Sequence, residues 1–332
     1  MDVTTSRAPR TVVVTGASSG IGRATALAFA RCGDRVVLAA RDQAALQRVV
    51  GECEAVGGQA VSQVTDVSDF EAVQALGRAA EAFGGRIDVW VNAAGVLHFG
   101  PLEETPAAVL RRVIDVNLVG QIHGAHTALA VFRAQRAGVL INVASVLGVS
   151  AQPFSAAYCA SKFGVRGLSQ SLRQEVSDAA DIHVCTVLPA AVDTPIYARA
   201  ANYMGRELQP IPWLVAPEDV AEACVQVASR PRRETFVGPA FGAAVRLSVS
   251  VAPALAEQAT GTMTRRLQIG AMTAPPTDGN VVRPQHRGSD ADGGWRQPGA
   301  RPSVGLSTAL LVTAGVLTLG VARWLLPRPS LS

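Results

Sequence analysis

From residue 11 to about residue 240, short apolar runs alternate with longer stretches in which apolar and polar positions recur at helical spacing. The runs fall at 11–15 (TVVVT), 35–39 (RVVLA), 60–64, 87–91 (IDVWV), 138–144 (GVLINVA), 182–188 (IHVCTVL) and 234–238. They are rich in valine and isoleucine and lack strict alternation, as strands covered on both faces do. Amphipathic segments lie between them near 20–32, 42–56, 69–83, 106–135, 155–179 and 217–229. Strand–helix alternation of this length predicts right-handed βαβ units. The expected fold class is α/β, a Rossmann-type doubly wound parallel sheet of about seven strands, followed by a C-terminal helical extension.

The pattern changes beyond residue 240. Residues 241–270 predict one or two helices, interrupted near Pro253. Residues 274–303 hold Pro-Pro, Asp-Gly, Gly-Gly and Arg-Pro with few aliphatics, the composition of a disordered linker. Val304 to Ala322 is then 19 residues without a charge, preceded by Arg301 and followed by Arg323-Trp324. A helix of that length rises about 28 Å, close to the hydrocarbon thickness of a bilayer, with the tryptophan and arginines at its interfaces. The chain therefore divides into an N-terminal tail (1–10), a Rossmann-type domain (11–270), a disordered linker (271–303) and a C-terminal transmembrane helix (304–326). The alternative for the last segment is a helix packed on the domain or in an oligomer, which normally shows a polar face; here the only polar residues are Ser and Thr.

Composition adjusts this picture in three places. A net charge of +4 over 332 residues gives no case for a nucleic-acid partner. Five cysteines, an odd number without CxxC spacing, read as reduced thiols in a cytosolic environment, and the N-terminus lacks the apolar stretch of a signal peptide. The expectation is a cytoplasmic catalytic domain held at a membrane. Finally, of 30 Lys+Arg residues only Lys162 is a lysine. A coding bias toward arginine accounts for the excess but not for the one position that keeps a compact ammonium on a flexible stem.

The turn after the first strand reads Thr15-Gly16-Ala17-Ser18-Ser19-Gly20-Ile21-Gly22. Glycines between a buried strand and a helix allow a tight turn, backbone approach to a pyrophosphate and close helix–sheet packing. The helix N-terminus then offers amides to phosphate. At the end of the second strand stands Ala40-Arg41-Asp42, where an NAD site places an acid. A guanidinium there clamps a 2′-phosphate, with Arg23 able to assist, which favours NADP(H). NAD(H) stays open through Asp42.

With these residues in view, the chain resembles the short-chain dehydrogenase/reductase family in its single-domain form over residues 10–240. TGASSGIG lies at 15–22, Asp66-Val67 after the third strand, Asn92-Ala93-Ala94-Gly95 after the fourth, Asn117 in the long helix, Ser145 after the fifth strand and Tyr158-Cys159-Ala160-Ser161-Lys162 at the start of the next helix. The resemblance implies that Asp66 contacts adenine and that Asn92, Ala93 and Gly95 shape the cofactor floor. It also implies that Asn117 supports a water-mediated proton path to Lys162, and that Pro189, Val192 and Thr194 line the nicotinamide carboxamide. The family's usual Pro-Gly is Pro189-Ala190 here, and its methyl puts cofactor affinity in doubt.

Tyr158 and Lys162, four apart on a helix, share one face. An adjacent ammonium favours the phenolate and lets the pair exchange a proton with a substrate oxygen near neutrality. Ser145 is placed to hydrogen-bond that oxygen as charge develops. The implied reaction is hydride transfer between nicotinamide and a small-molecule carbonyl/alcohol pair. Residues 193–216 fall where the family carries a lid; Ile196, Tyr197, Tyr203, Met204, Ile211 and Trp213, with Leu97, Phe99 and Phe154, suggest an apolar pocket for a hydrophobic or lipid-like substrate. Two other readings stay open: an epimerase or dehydratase on the same fold, and a membrane-tethered NADP-binding scaffold without catalysis. By analogy with the family, a homo-oligomer forms through the helices near 106–135 and 155–179.

Overall fold

A computed structural model describes residues 8–238, 245, 247–285 and 290–296. Seven parallel strands form the central sheet in the order β3 (Gln59–Val64), β2 (Arg35–Ala40), β1 (Thr11–Thr15), β4 (Val89–Asn92), β6 (Gly138–Val143), β7 (Ile182–Pro189) and β10 (Glu234–Val237). The doubly wound α/β fold expected from the apolar runs is the one found. Val12, Val13 and Val14 are fully buried although neighbours on a strand point to opposite faces, because helices cover the sheet on both sides. On one side α1 (Gly20–Arg31) lies against α7 (Pro217–Ser229), beside α2 (Gln43–Ala55). The other side carries α3 (Phe70–Gly84), α5 (Gly120–Gln135) and α6 (Ala156–Glu175). Chain order runs outward in both directions from β1 and β4, so their C-terminal ends splay apart and leave a crevice.

The single helix expected over 106–135 is found, with a π-helical turn inside it. α4 (Ala107–Ile114) passes through a π-helical turn, Asp115–Val119, into α5. Asn117 sits inside that turn, a widening of the helix that commonly marks functional positions.

Two smaller pairings shape the rim. β5 (His98–Phe99) runs parallel with β8 (Ala201–Asn202), and β9 (Arg206–Leu208) pairs antiparallel with β11 (Ile269–Thr273). Both bring residues of 201–208 onto other parts of the chain. Beyond β10, residues 247–251 are helical, and α8 (Pro253–Met263) starts at the expected proline and continues into a π turn, Thr264–Gln268.

Composition marked 271–303 as a disordered linker, yet its described residues lie on the domain. Thr277 bridges Asn202, Asn280 N donates to the Arg199 carbonyl at 2.9 Å, and Val281 is fully buried. These hydrogen bonds join backbone groups far apart in the chain, which leave no periodicity in the sequence. No helix among the described residues is long and apolar enough to cross a membrane, and the apolar 304–326 segment lies outside them.

Candidate active site

One cleft opens at the C-terminal ends of β1, β4, β6 and β7. Its floor is the turn between β1 and α1. Gly16 has φ +72° and lies so close to β4 that a Cβ would fall 2.7 Å from Ala94 Cα; a Cβ on Gly22 would fall 2.3 Å from the Gly16 carbonyl. Thr15 Oγ1 accepts from Ala93 N at 3.1 Å and Ala94 N at 3.3 Å, tying the ends of β1 and β4 together. The tight backbone groove that a dinucleotide pyrophosphate requires is present, and only glycine fits its two closest approaches.

Most of the sequence-predicted cofactor residues line this cleft: Gly16, Ser18, Ser19, Gly20, Ile21 and Gly22 from the turn, Arg41, Asp66, Val67, Ala93 and Gly95 beside it, and Pro189, Val192 and Thr194 across from them. Asp66 accepts from Ser68 N at 3.0 Å and Ser68 Oγ at 2.8 Å, and it forms an ion pair with Arg112 of α4. Burial alone would raise its pKa; the Ser68 bonds and Arg112 outweigh it and hold the carboxyl below its usual value.

Three predicted residues stand behind the wall. Asn92 accepts from Trp90 Nε1 at 2.8 Å and donates to Asn142 Oδ1 at 2.9 Å, bracing adjacent strands. Asn117 accepts from Val96 N at 2.8 Å and donates to the Val96 carbonyl at 2.9 Å and to Ser161 Oγ at 3.3 Å. It thus fastens the loop after β4 to α6, one residue from Lys162. Arg23 grips Glu52 of α2 through Nε at 3.0 Å and Nη2 at 2.7 Å, with Nη1 3.2 Å from Asp290.

Arg41 is at the cleft but bonded elsewhere. It donates to the carbonyls of Asn280 at 2.6 Å and Val282 at 3.3 Å. Asp42, the rival ribose ligand, is the N-cap of α2 and accepts from Ala45 N at 3.0 Å.

Ser145 follows β6 and caps a short turn, accepting from Leu147 N at 3.1 Å. Tyr158 lines the same cleft from α6, and the Ser145 hydroxyl acts to lower its pKa. Lys162, one helical turn on, donates from Nζ to the Val143 carbonyl at 3.0 Å, and Nζ lies 5.7 Å from the centre of the Tyr158 ring. The sequence expectation that the ammonium lowers the phenol's pKa is not the net balance found. Burial raises Tyr158, the neighbouring Tyr197 phenol adds to the rise, and the Ser145 hydroxyl offsets only part of it. Burial brings Lys162 down to about 8. Both shifts favour the neutral forms, the direction that burial gives each group.

Ala190 N donates to the Val237 carbonyl at 3.1 Å, and its methyl faces the open side of Gly238. Of the predicted apolar lining, Leu97, Phe99, Ile196, Tyr197 and Ile211 reach the cleft, joined by Met263 and Gln268 from the C-terminal arm. Tyr203 instead donates to Asp278, Met204 packs behind the lining, Trp213 is 44% exposed, and Phe154, with φ +64°, lies under the Arg265 guanidinium at 4.7 Å.

Sequence reasoning missed two lid residues. Asp193, buried, accepts from the amides of Gly293 at 3.0 Å, Trp295 at 3.1 Å and Arg296 at 2.9 Å. Arg199, 8% exposed, reaches back to the glycine-rich turn and donates to Ser19 Oγ at 3.3 Å.

The family model described as short chain dehydrogenase matches residues 10–203. An uncharacterized oxidoreductase of Bacillus subtilis is 34% identical over 232 residues, 68% of this chain and 65% of that protein, so the chain spans less than two thirds of that relative's length. A 3beta-hydroxysteroid dehydrogenase of Eggerthella lenta is 39% identical over 227 residues, 66% of this chain and 87% of that enzyme. A crystal structure of a short chain dehydrogenase/reductase from Burkholderia phymatum in complex with NAD superposes with a TM-score of 0.66 at 31% identity, covering 73% of this chain and 93% of that one. An alcohol dehydrogenase from Thermococcus sibiricus complexed with 5-hydroxy-NADP gives 0.60 at 27%, covering 68% and 95%.

Proposed function

The chain belongs to the short chain dehydrogenase family, and from that premise we propose that it is an NADP(H)-dependent oxidoreductase interconverting a carbonyl and an alcohol on a hydrophobic, lipid-like substrate. The observation that carries the reading is the Ser145–Tyr158–Lys162 group on the wall of the cleft whose floor is the glycine-rich turn. The dinucleotide supplies or removes hydride at the substrate carbon. The protein's own groups handle the proton. Tyr158, kept protonated by burial, donates to the substrate oxygen, while the Ser145 hydroxyl bonds that oxygen as its charge grows. Lys162, in its ammonium form, steadies the phenolate left behind. Asn117 holds Val96 and Ser161 in register so that the pair keeps its geometry.

For NADP(H) over NAD(H), the support is a guanidinium rather than a carboxylate at the end of β2, with Asp42 engaged as a helix cap. Arg41 must exchange the carbonyls of Asn280 and Val282 for a phosphate, a gain in charge pairing. Arg41→Ala should weaken NADPH roughly 10- to 100-fold and leave NADH within about twofold, measured by calorimetric titration. Equal losses for both dinucleotides would remove the NADP preference.

The apolar lining supports a hydrophobic substrate, and the steroid dehydrogenase activity named for the Eggerthella relative is consistent with one. The uncharged stretch 304–322 supports a membrane tether that keeps the cleft near lipids. Self-association through α5 and α6, which expose Ile122 and Phe163, completes the reading. A carbonyl panel assayed in detergent tests the substrate class: turnover confined to small polar carbonyls would contradict it.

A further inference from the structure

The lid carries a buried cation to the phosphate end of the cleft. Arg199 follows Tyr197 on the lid, lines the cleft, and bonds Ser19 in the glycine-rich turn at 3.3 Å. Burial lowers its pKa, and the acids whose fields offset that are Asp42 and Asp290. A guanidinium taken out of water costs several kcal/mol unless anions face it.

Asp290 comes from the C-terminal segment and sits at an anion position. Its carbonyl accepts from Gly20 N, the first residue of α1, at 3.0 Å. Its carboxylate lies 3.2 Å from Arg23 Nη1. One acidic residue thus answers a helix N-terminus and Arg23 directly and Arg199 through its field. Each of those groups also suits a phosphate. A phosphodiester carries the same single negative charge as a carboxylate and offers its oxygens to the same donors.

We propose that Arg199 is a phosphate clamp on the lid, and that the dinucleotide's phosphate displaces Asp290 to reach it. This rests on the reading that the cleft takes a dinucleotide, and it extends that reading from the floor of the cleft to its lid. The lid that lines the substrate pocket through Ile196 and Tyr197 then closes on the cofactor through Arg199. The exchange replaces an intramolecular carboxylate, so Asp290 sets how tightly the phosphate is held.

The test is calorimetric titration of the full chain with NADPH, NADH and adenosine. Arg199→Met should weaken NADPH at least about tenfold and leave adenosine within about twofold; Arg199→Lys should recover part of the loss. Equal loss for NADH identifies the pyrophosphate as the clamped group, and loss for NADPH alone identifies the 2′-phosphate. Asp290→Asn should tighten NADPH severalfold, because the competing charge is gone. Both shifts are required: Arg199→Met at wild-type affinity, an equal loss for adenosine, or Asp290→Asn at or below wild-type affinity overturns the inference. If Arg199→Met does not fold, Arg199→Lys and Asp290→Asn decide, with an intermediate loss expected for the lysine. Wild-type protein that binds no dinucleotide overturns the functional reading and the clamp together, whereas wild-type binding with unmoved variants overturns the clamp alone.

Discussion

Burial moves the two titrating groups of the Tyr158–Lys162 pair in opposite directions, holding the phenol protonated and drawing the ammonium toward neutrality. A protonated tyrosine is the form that reduction needs, whereas oxidation needs the phenolate. Because the pH lies far below the raised phenol pKa, the phenolate fraction grows close to tenfold per pH unit. Initial rates of alcohol oxidation should therefore climb steeply between about pH 7 and pH 9, while carbonyl reduction stays flat or falls as Lys162 loses its proton near pH 8. A parallel pH profile in the two directions would contradict this assignment of the proton. The site residues were legible because each belongs to a motif anchored at a strand end or on one helix face, and Lys162 was marked twice, by spacing and by being the chain's one lysine. Arg199 was not: in a chain with 29 other cations, its bond to Ser19 is fixed by the folding of residues 193–216 onto the glycine-rich turn.

At the scale of elements, the turn between β1 and α1 has the narrowest tolerance. Gly22→Ala would drive a methyl to 2.3 Å from the Gly16 carbonyl, a backbone atom that cannot rotate away. The variant should lose at least about tenfold in dinucleotide affinity and lower the melting temperature, because the helix must retreat from the strand that the turn joins. Unchanged affinity in a titration would mean that this turn is not the pyrophosphate seat. The seven strands were readable because both faces of the sheet are covered, which writes continuous apolar runs into the sequence. The π turn between α4 and α5 was not readable, since Asn117 bonds Val96 and Ser161 only after β4 and α6 have come together. The same holds for the described residues 274–285 and 290–296. Their composition reads as a linker, and their order comes from Arg41, Tyr203 and Asp193, all far away in sequence.

For the whole molecule, the cleft is built mainly from residues 11–270 and bordered by Asn280, Pro284 and Gln285 of the C-terminal segment. The proposed tether through the uncharged stretch 304–322 is tested by partition. Full-length protein expressed in cells should resist extraction from membranes by alkaline carbonate, and a chain ending at residue 303 should be released; equal partition of the two would contradict the tether. The proposed chemistry turns on Tyr158, and NADPH consumption across a carbonyl panel, comparing wild type with Tyr158→Phe, probes it without intermediaries. The expected result is a rate loss on the order of 100- to 10,000-fold with NADPH affinity held within a few fold, because the substitution removes one transferable proton. Equal turnover by the two proteins would contradict it.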